Sequence, residues 1–284
     1  MVMKRGLRAV VVAIGILAWM PLLAGAESPA EAFARGKSLL EKGDFDGALG
    51  AFAAAARGDL DNDSYRQQYA MVRRIADLRK QLDAEKDPER WEYTARALHA
   101  FYLDQRLYDH AVDVARRMHE KLGTAASGTM LAETELALNR NAEAEKTLAS
   151  LERQGHSGPV VQALRGIALA RLGKIPEAKK LAATIALGDD AGPQLLYSLA
   201  RLHGATGNAD AAVKLLEKWF QALPPSRLEN FKEHARLCPD FAAMASTASF
   251  AKALETESQV AESKCSGGAG CAGCPMRGKC GKAE

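Results

Sequence analysis

The stretch from Ala32 to Asn62 decides the fold of this chain. It contains two helix-like segments joined by a short turn. The first segment reads AFARGKSLL (32–40), the turn and the start of the second read GDFDGAL (43–49), and Phe52 and Ala55 follow at helical spacing. Two antiparallel helices approach closely only where small side chains face each other, with large residues three or four positions away on the flanks. The stretch therefore predicts a helix hairpin.

The same pattern recurs along the chain, and this repetition predicts stacked hairpins rather than a single globular core. The copies differ in quality, and the third has a turn that is one residue short. They occupy about 29–62, 92–123, 129–155, 159–186 and 193–224, and apolar residues at three- and four-residue steps predict one long helix over 64–85 between the first two copies.

This pattern resembles the tetratricopeptide repeat (TPR). Gly36 matches the small residue of the first helix, Gly43 opens the turn, and Ala48, Phe52 and Ala55 match the packing face of the second helix. The resemblance implies an all-α, right-handed helical-repeat solenoid over residues 27–225. Residues 226–262 are expected to form a helical cap, because the last repeat otherwise leaves an apolar face open to water.

The first 26 residues are typical of a secretory signal peptide. Three basic residues precede an apolar stretch, and Ala24-Gly25-Ala26 provides the small residues of a cleavage site. We expect cleavage before Glu27, export to the periplasm or beyond, and no stable membrane anchor afterwards. An uncleaved anchor is the alternative, but the apolar stretch is short for a membrane-spanning helix, which needs about 20 residues.

The charge of the remaining chain favours neither nucleic acid nor an anionic membrane as a partner. The complete sequence carries 38 basic and 35 acidic residues, and the first 26 residues contain three basic and no acidic ones. The exported chain is therefore neutral overall.

The last residues, 263–284, form an irregular Cys-rich tail that has no large aliphatic side chain with which to build a core. Its four cysteines follow the spacing C-x5-C-x2-C-x5-C and are Cys265, Cys271, Cys274 and Cys280. Two thiolates separated by two residues can bind one metal, and the Gly-rich flanks allow the outer cysteines to complete a tetrahedron. Four thiolates suit zinc or a softer ion such as Cu(I).

Other chemistry is open for the same cysteines. Thiols outside the cytoplasm tend to oxidise, and four cysteines allow three disulfide connectivities. A redox-active Cys271–Cys274 pair is a further alternative, although it lacks the βαβ pattern that such pairs accompany. The fifth cysteine, Cys238, lies among apolar neighbours and is expected to be a small buried side chain.

No enzyme signature occurs in the sequence: it contains no H-E-x-x-H, G-x-S-x-G or phosphate-loop motif. We therefore expect a non-enzymatic adaptor. The family resemblance implies that a protein or peptide partner lies along the concave surface, which the first helix of each pair lines. Transferring those positions repeat by repeat gives a partly basic set suited to an acidic or carboxylate-bearing partner: Lys37, Arg96, Arg171, Tyr197 and Arg201. The alternative is a metal-handling protein whose Cys tail delivers a soft ion to a client docked on the repeats.

Overall fold

The computed structural model describes residues 27–188 and 191–261. The predicted signal peptide and the Cys-rich tail lie outside these residues. The described part of the chain is helical and contains no β-strand, which confirms the all-α prediction. None of its helices is both long enough and apolar enough to cross a membrane.

The helices of the hairpins have 10 to 17 residues, and the helix Asp63–Ala84, with 22 residues, is the long helix expected between the first two copies. In chain order the helices are α1 (Pro29–Glu41), α2 (Phe45–Gly58), α3 (Asp63–Ala84), α4 (Pro88–Asp104), α5 (Tyr108–Leu122), α6 (Ala125–Ala137), α7 (Asn141–Arg153), α8 (Pro159–Arg171), α9 (Ile175–Thr184), α10 (Pro193–Ala205), α11 (Ala209–Gln221), α12 (Pro225–Leu237), a 3-10 helix (Pro239–Met244) and α13 (Ala248–Leu254). The chain divides into two compact units after Ala76, within α3.

The first unit is built on close packing between α1 and α2. A Cβ placed on Gly36 would lie 2.7 Å from the Phe52 ring, so only glycine allows this approach. Ala48, Phe52 and Ala55 are completely buried, as the repeat pattern predicts. Phe33 of α1 contacts Phe52 on one side and Tyr65 of α3 on the other. Small and aromatic residues therefore interlock the first hairpin.

The second unit contains four consecutive hairpins, α4–α5, α6–α7, α8–α9 and α10–α11. Neighbouring hairpins pack mainly through α5 against α6, α7 against α8 and α8 against α10. The turn within a hairpin needs one residue in the left-handed region. Gly173 and Gly207 occupy it in the last two hairpins, with φ of 80° and 81°. Arg106 and Asn139 occupy it in the first two, with φ of 57° and 56°. The third predicted copy thus has a complete turn in which Asn replaces Gly, because Asn tolerates this conformation.

The helix of this third copy begins earlier than the sequence suggested. Thr124 caps α6. Its hydroxyl accepts a hydrogen bond from the Ser127 backbone N–H, and the Ser127 hydroxyl accepts one from the Thr124 backbone N–H. The helix consequently starts at Ala125 and not near 129. This capping box adds one helical turn to the segment that carries the centre of the site described below.

The C-terminal segment folds back on the last hairpin. The 3-10 helix packs against α10, and α13 packs against α11. Phe241, Met244 and Phe250 are buried in this contact. Close approach depends on Gly204, since a Cβ there would lie 2.5 Å from the Asp240 carbonyl oxygen. The cap therefore rests on backbone-to-backbone proximity as well as on apolar burial.

Candidate functional site

A groove runs along the first helices of the hairpins in the second unit, and we call it the inner groove. It consists of two adjoining cavities of about 730 and 540 Å³. The larger is lined mainly by residues of α4, α6, α8, α10 and α12, and the smaller by residues of α4, α6, α8 and α10. His99, Met130 and Glu133 line both cavities, so these residues mark the middle of the groove.

Helix α6 forms the floor of the groove. Met130, Glu133, Thr134 and Ala137 recur at three- and four-residue steps and line the larger cavity. The Thr134 hydroxyl donates to the Met130 carbonyl at 2.7 Å and lies 2.8 Å from His99 Nε2. Because that hydroxyl has already used its proton, it accepts from His99, which places the imidazole proton on Nε2. Burial lowers the pKa of His99, and the nearby Arg96 charge adds to this effect, so the ring is neutral.

The C-terminal end of the groove is closed by a buried carboxylate. Asp240 of the 3-10 helix accepts from Arg171 Nε at 2.7 Å and Nη2 at 3.0 Å, and from Arg201 Nε at 2.8 Å. Arg171 Nη1 also donates to the Leu136 carbonyl at 2.7 Å. The Asp240 side chain is 1% exposed and those of the two arginines are 11% and 12% exposed. The three side chains form one charge-paired joint between α8, α10 and the cap.

Tyr197 lies beside this joint with its ring stacked on Trp219 at a centroid distance of 4.1 Å. Its hydroxyl is buried next to the Cys238 thiol, yet it makes no hydrogen bond of ordinary geometry within the described residues. Burial raises the pKa of Tyr197 and also that of Cys238, so both are neutral at pH 7. These two residues therefore add bulk and weak polarity to the groove wall, but no charge.

Glu133 stands apart from the other charged residues of the groove. It accepts a hydrogen bond of 3.3 Å from Gln194 Nε2, and no cation of the described residues lies within ion-pair distance of it. Burial raises the pKa of Glu133, and the Gln194 hydrogen bond and the Arg201 charge offset this effect only in part. Its carboxylate has lost water without acquiring a counter-ion.

The structure brings three of the five sequence-derived groove residues together. Arg171, Tyr197 and Arg201 line the larger cavity, and the carboxylate that the sequence led us to expect from a partner comes here from Asp240 of the same chain. Arg96 lines the smaller cavity but is exposed and bound to Glu92.

The fifth residue, Lys37, belongs to the first unit. It is exposed, and its amine lies 4.8 Å from the centre of the Phe33 ring. The four tail cysteines lie outside the described residues. Within 27–188 and 191–261 no three His, Cys, Asp or Glu side chains cluster in a way that could hold a metal ion.

Sequence reasoning missed the residues that give the groove its character, namely His99 as a polar link, Glu133 and Asp240. A signal for Glu133 was present in the three- and four-residue spacing from Met130 to Ala137. The third copy contributes no predicted groove position, because its repeat pattern is weak. Asp240 carried no such signal, since its partners are 39 and 69 residues away.

Comparison with known proteins gives structural neighbours only. No family model and no curated protein matches the chain. Among solved structures, a thermophilic TPR protein of Thermus thermophilus, TTC0263, is 19% identical with a TM-score of 0.40, covering 74% of this chain and 100% of its own. A tetratricopeptide repeat protein from Parabacteroides merdae is 16% identical with a TM-score of 0.40, covering 81% and 98%. YrrB, described as a TPR protein with an unusual peptide-binding site, is 15% identical with a TM-score of 0.31, covering 73% and 93%.

Proposed function

We propose that this protein is a non-enzymatic adaptor that binds a partner protein or peptide along the inner groove. One observation carries the proposal: the first helices of four consecutive hairpins present an open channel whose two cavities join at His99, Met130 and Glu133. The two cavities have volumes of about 730 and 540 Å³, and the polar side chains of His99 and Glu133 are held there by internal hydrogen bonds. Such a surface binds by shape and complementarity without a moving part.

The lining supports binding rather than catalysis. The two arginines are bound to Asp240, His99 is kept neutral by burial and donates to Thr134, and the Cys238 thiol is buried with a raised pKa. A nucleophile paired with a base would need an activated thiol or hydroxyl, which these contacts do not provide. Apolar residues such as Leu103 and Met130 alternate with the polar ones, as in protein interfaces.

A pair of matched tryptophan substitutions tests this proposal. Ala137 is exposed and lines the groove, whereas Ala142 is exposed on α7 and lines neither cavity. We expect Ala137→Trp to fill the channel and reduce recovery of the partner by about tenfold in affinity capture from the native extracytoplasmic fraction, quantified by mass spectrometry. Ala142→Trp should recover the partner at the wild-type level. Equal recovery by both variants, with unchanged circular dichroism, would place the binding surface elsewhere.

We further propose that the protein acts after export, in the periplasm or outside the cell, with its tail ordered by a zinc ion or by disulfides. The signal-like residues 1–26 and the spacing of the four tail cysteines support this proposal. Metal analysis and free-thiol counting on protein from its own compartment distinguish the two forms of the tail. One tightly held ion indicates a structural metal site, and a readily exchanged soft ion indicates metal delivery. Four oxidised cysteines indicate disulfides and exclude both of these metal-binding roles.

A further inference from the structure

The charged residues of the inner groove differ in how much of their bonding capacity remains open to a partner. Arg171 directs Nε and Nη2 to Asp240 and Nη1 to the Leu136 carbonyl, so its guanidinium has a protein acceptor on each nitrogen. Arg201 is 12% exposed and is also bound to Asp240. An anionic group of a partner would have to displace a carboxylate that is itself 1% exposed. These arginines are therefore poor sites for an acidic ligand.

Glu133 is in the opposite position. It lies where the two cavities meet, it remains partly accessible, and the one hydrogen bond it receives comes from the exposed Gln194. The nearby positive charge, Arg201, is already bound to Asp240. A carboxylate in this setting gains free energy from any cation that can reach it, because surrounding apolar atoms weaken the screening by water.

The surroundings of Glu133 also fit the stem of a long cationic side chain. Met130 lies three residues before Glu133 on the same face of α6, and Leu103 of α4 lines the same cavity. At the rim, Leu237 is 75% exposed and offers an apolar contact to the residues that flank the cation. Lysine and arginine place methylene groups along such surfaces and a charge at the end.

We propose that Glu133 recognises a lysine or arginine side chain of the partner, seated in the middle of the inner groove between apolar residues. This rests on the proposed function, because it assumes that a segment of a partner occupies the groove. It specifies a chemistry opposite to that expected from the sequence: the groove selects a basic and apolar segment, and the arginines at its C-terminal end hold the cap.

Three pools of synthetic nonapeptides test the assignment on the purified full chain by fluorescence anisotropy. The flanks are the same mixture of Ala, Leu and Ser in each pool, and the central residue is Lys, norleucine or Glu. Norleucine keeps the apolar stem and removes the charge. We expect the Lys pool to bind about fivefold more tightly than the norleucine pool, the difference that a partly exposed ion pair provides, and the Glu pool to bind least.

The Glu133→Gln variant should lose the preference for Lys while it still binds the norleucine pool. Glu143→Gln, a matched change at an exposed position of α7, should keep the preference. Equal binding of Lys and norleucine by the wild type, or a preference that survives in Glu133→Gln, would overturn the inference and leave the proposed function intact. Failure of all three pools to bind would count against both.

Discussion

Two carboxylates in the second unit illustrate opposite uses of the same chemical group. Asp240 is completely enclosed and receives hydrogen bonds from Arg171 and Arg201. Glu133 is partly accessible and receives one hydrogen bond, from the neutral amide of Gln194. The first fastens the C-terminal segment to the hairpins, and the second has no described counter-ion. On the proposed function, the charge that the groove offers a partner depends on where each carboxylate lies relative to Arg171 and Arg201, and not on the number of arginines.

The energetic consequence is that the two residues should influence stability in opposite directions. A buried ion pair is strongly destabilising to break, because the remaining partners keep their charge in a medium of low polarity. A half-buried carboxylate without a cation has lost part of its hydration with little in return. Removing the charge from Asp240 should therefore harm the fold, and removing it from Glu133 should not.

The largest effect is expected from Asp240→Asn. It leaves two largely buried guanidinium groups without their anion and should lower the free energy of unfolding by about 3 kcal/mol. Equilibrium denaturation in guanidinium chloride measures this loss. Asp104→Asn is the matched control, because that carboxylate is exposed on the last turn of α4, and it should stay within about 0.5 kcal/mol of wild type. A small effect of Asp240→Asn would mean that the joint contributes little to docking of the cap.

A smaller loss of stability is expected from Gly204→Ala, which disturbs the packing of the Asp240 backbone against α10. The added methyl group would lie 2.5 Å from the Asp240 carbonyl oxygen and 2.8 Å from Phe241 Cδ1. The cap has to move away, and we expect a loss of about 2 kcal/mol in unfolding free energy. Thermal unfolding followed by circular dichroism would detect it.

The control for this glycine is Gly50→Ala in α2, where an added Cβ meets nothing within 4 Å. Because alanine is the better helix former, this change should stabilise the protein by about 0.5 kcal/mol. If Gly204→Ala and Gly50→Ala change the free energy of unfolding in the same direction, then Gly204 is not required for the close packing of Asp240 against α10.

Much of the fold could be predicted from the sequence, because the repeat is a local pattern. Gly36, Ala48 and Phe52 pack as the spacing of small and large residues requires. The turn glycines at 173 and 207 adopt the left-handed conformation that a hairpin needs. The third hairpin was harder to place, since Asn139 performs the role of glycine and Thr124 starts the helix earlier than the apolar pattern does.

The candidate site was less predictable than the fold, for a physical reason. Helix spacing reveals which residues face inward, but it does not reveal what faces them from distant segments. Arg171 and Arg201 were assigned to the groove from the resemblance, and their pairing with Asp240 depends on how the cap folds back. The lack of a counter-ion at Glu133 was equally unpredictable, because it depends on which described residues of other helices lie near that carboxylate.

The most direct test of this contrast is the unfolding free energy of Glu133→Gln between pH 8 and pH 4.5, measured beside wild type. Burial raises the pKa of Glu133, so the folded protein binds its proton more readily than the unfolded chain, and wild type gains stability as the pH falls toward the ordinary glutamate value of 4.5. The account predicts that Glu133→Gln is more stable than wild type near pH 8, by up to about 1 kcal/mol, and that this advantage shrinks on acidification. A variant that is less stable than wild type at pH 8, or a difference that does not change with pH, would contradict it.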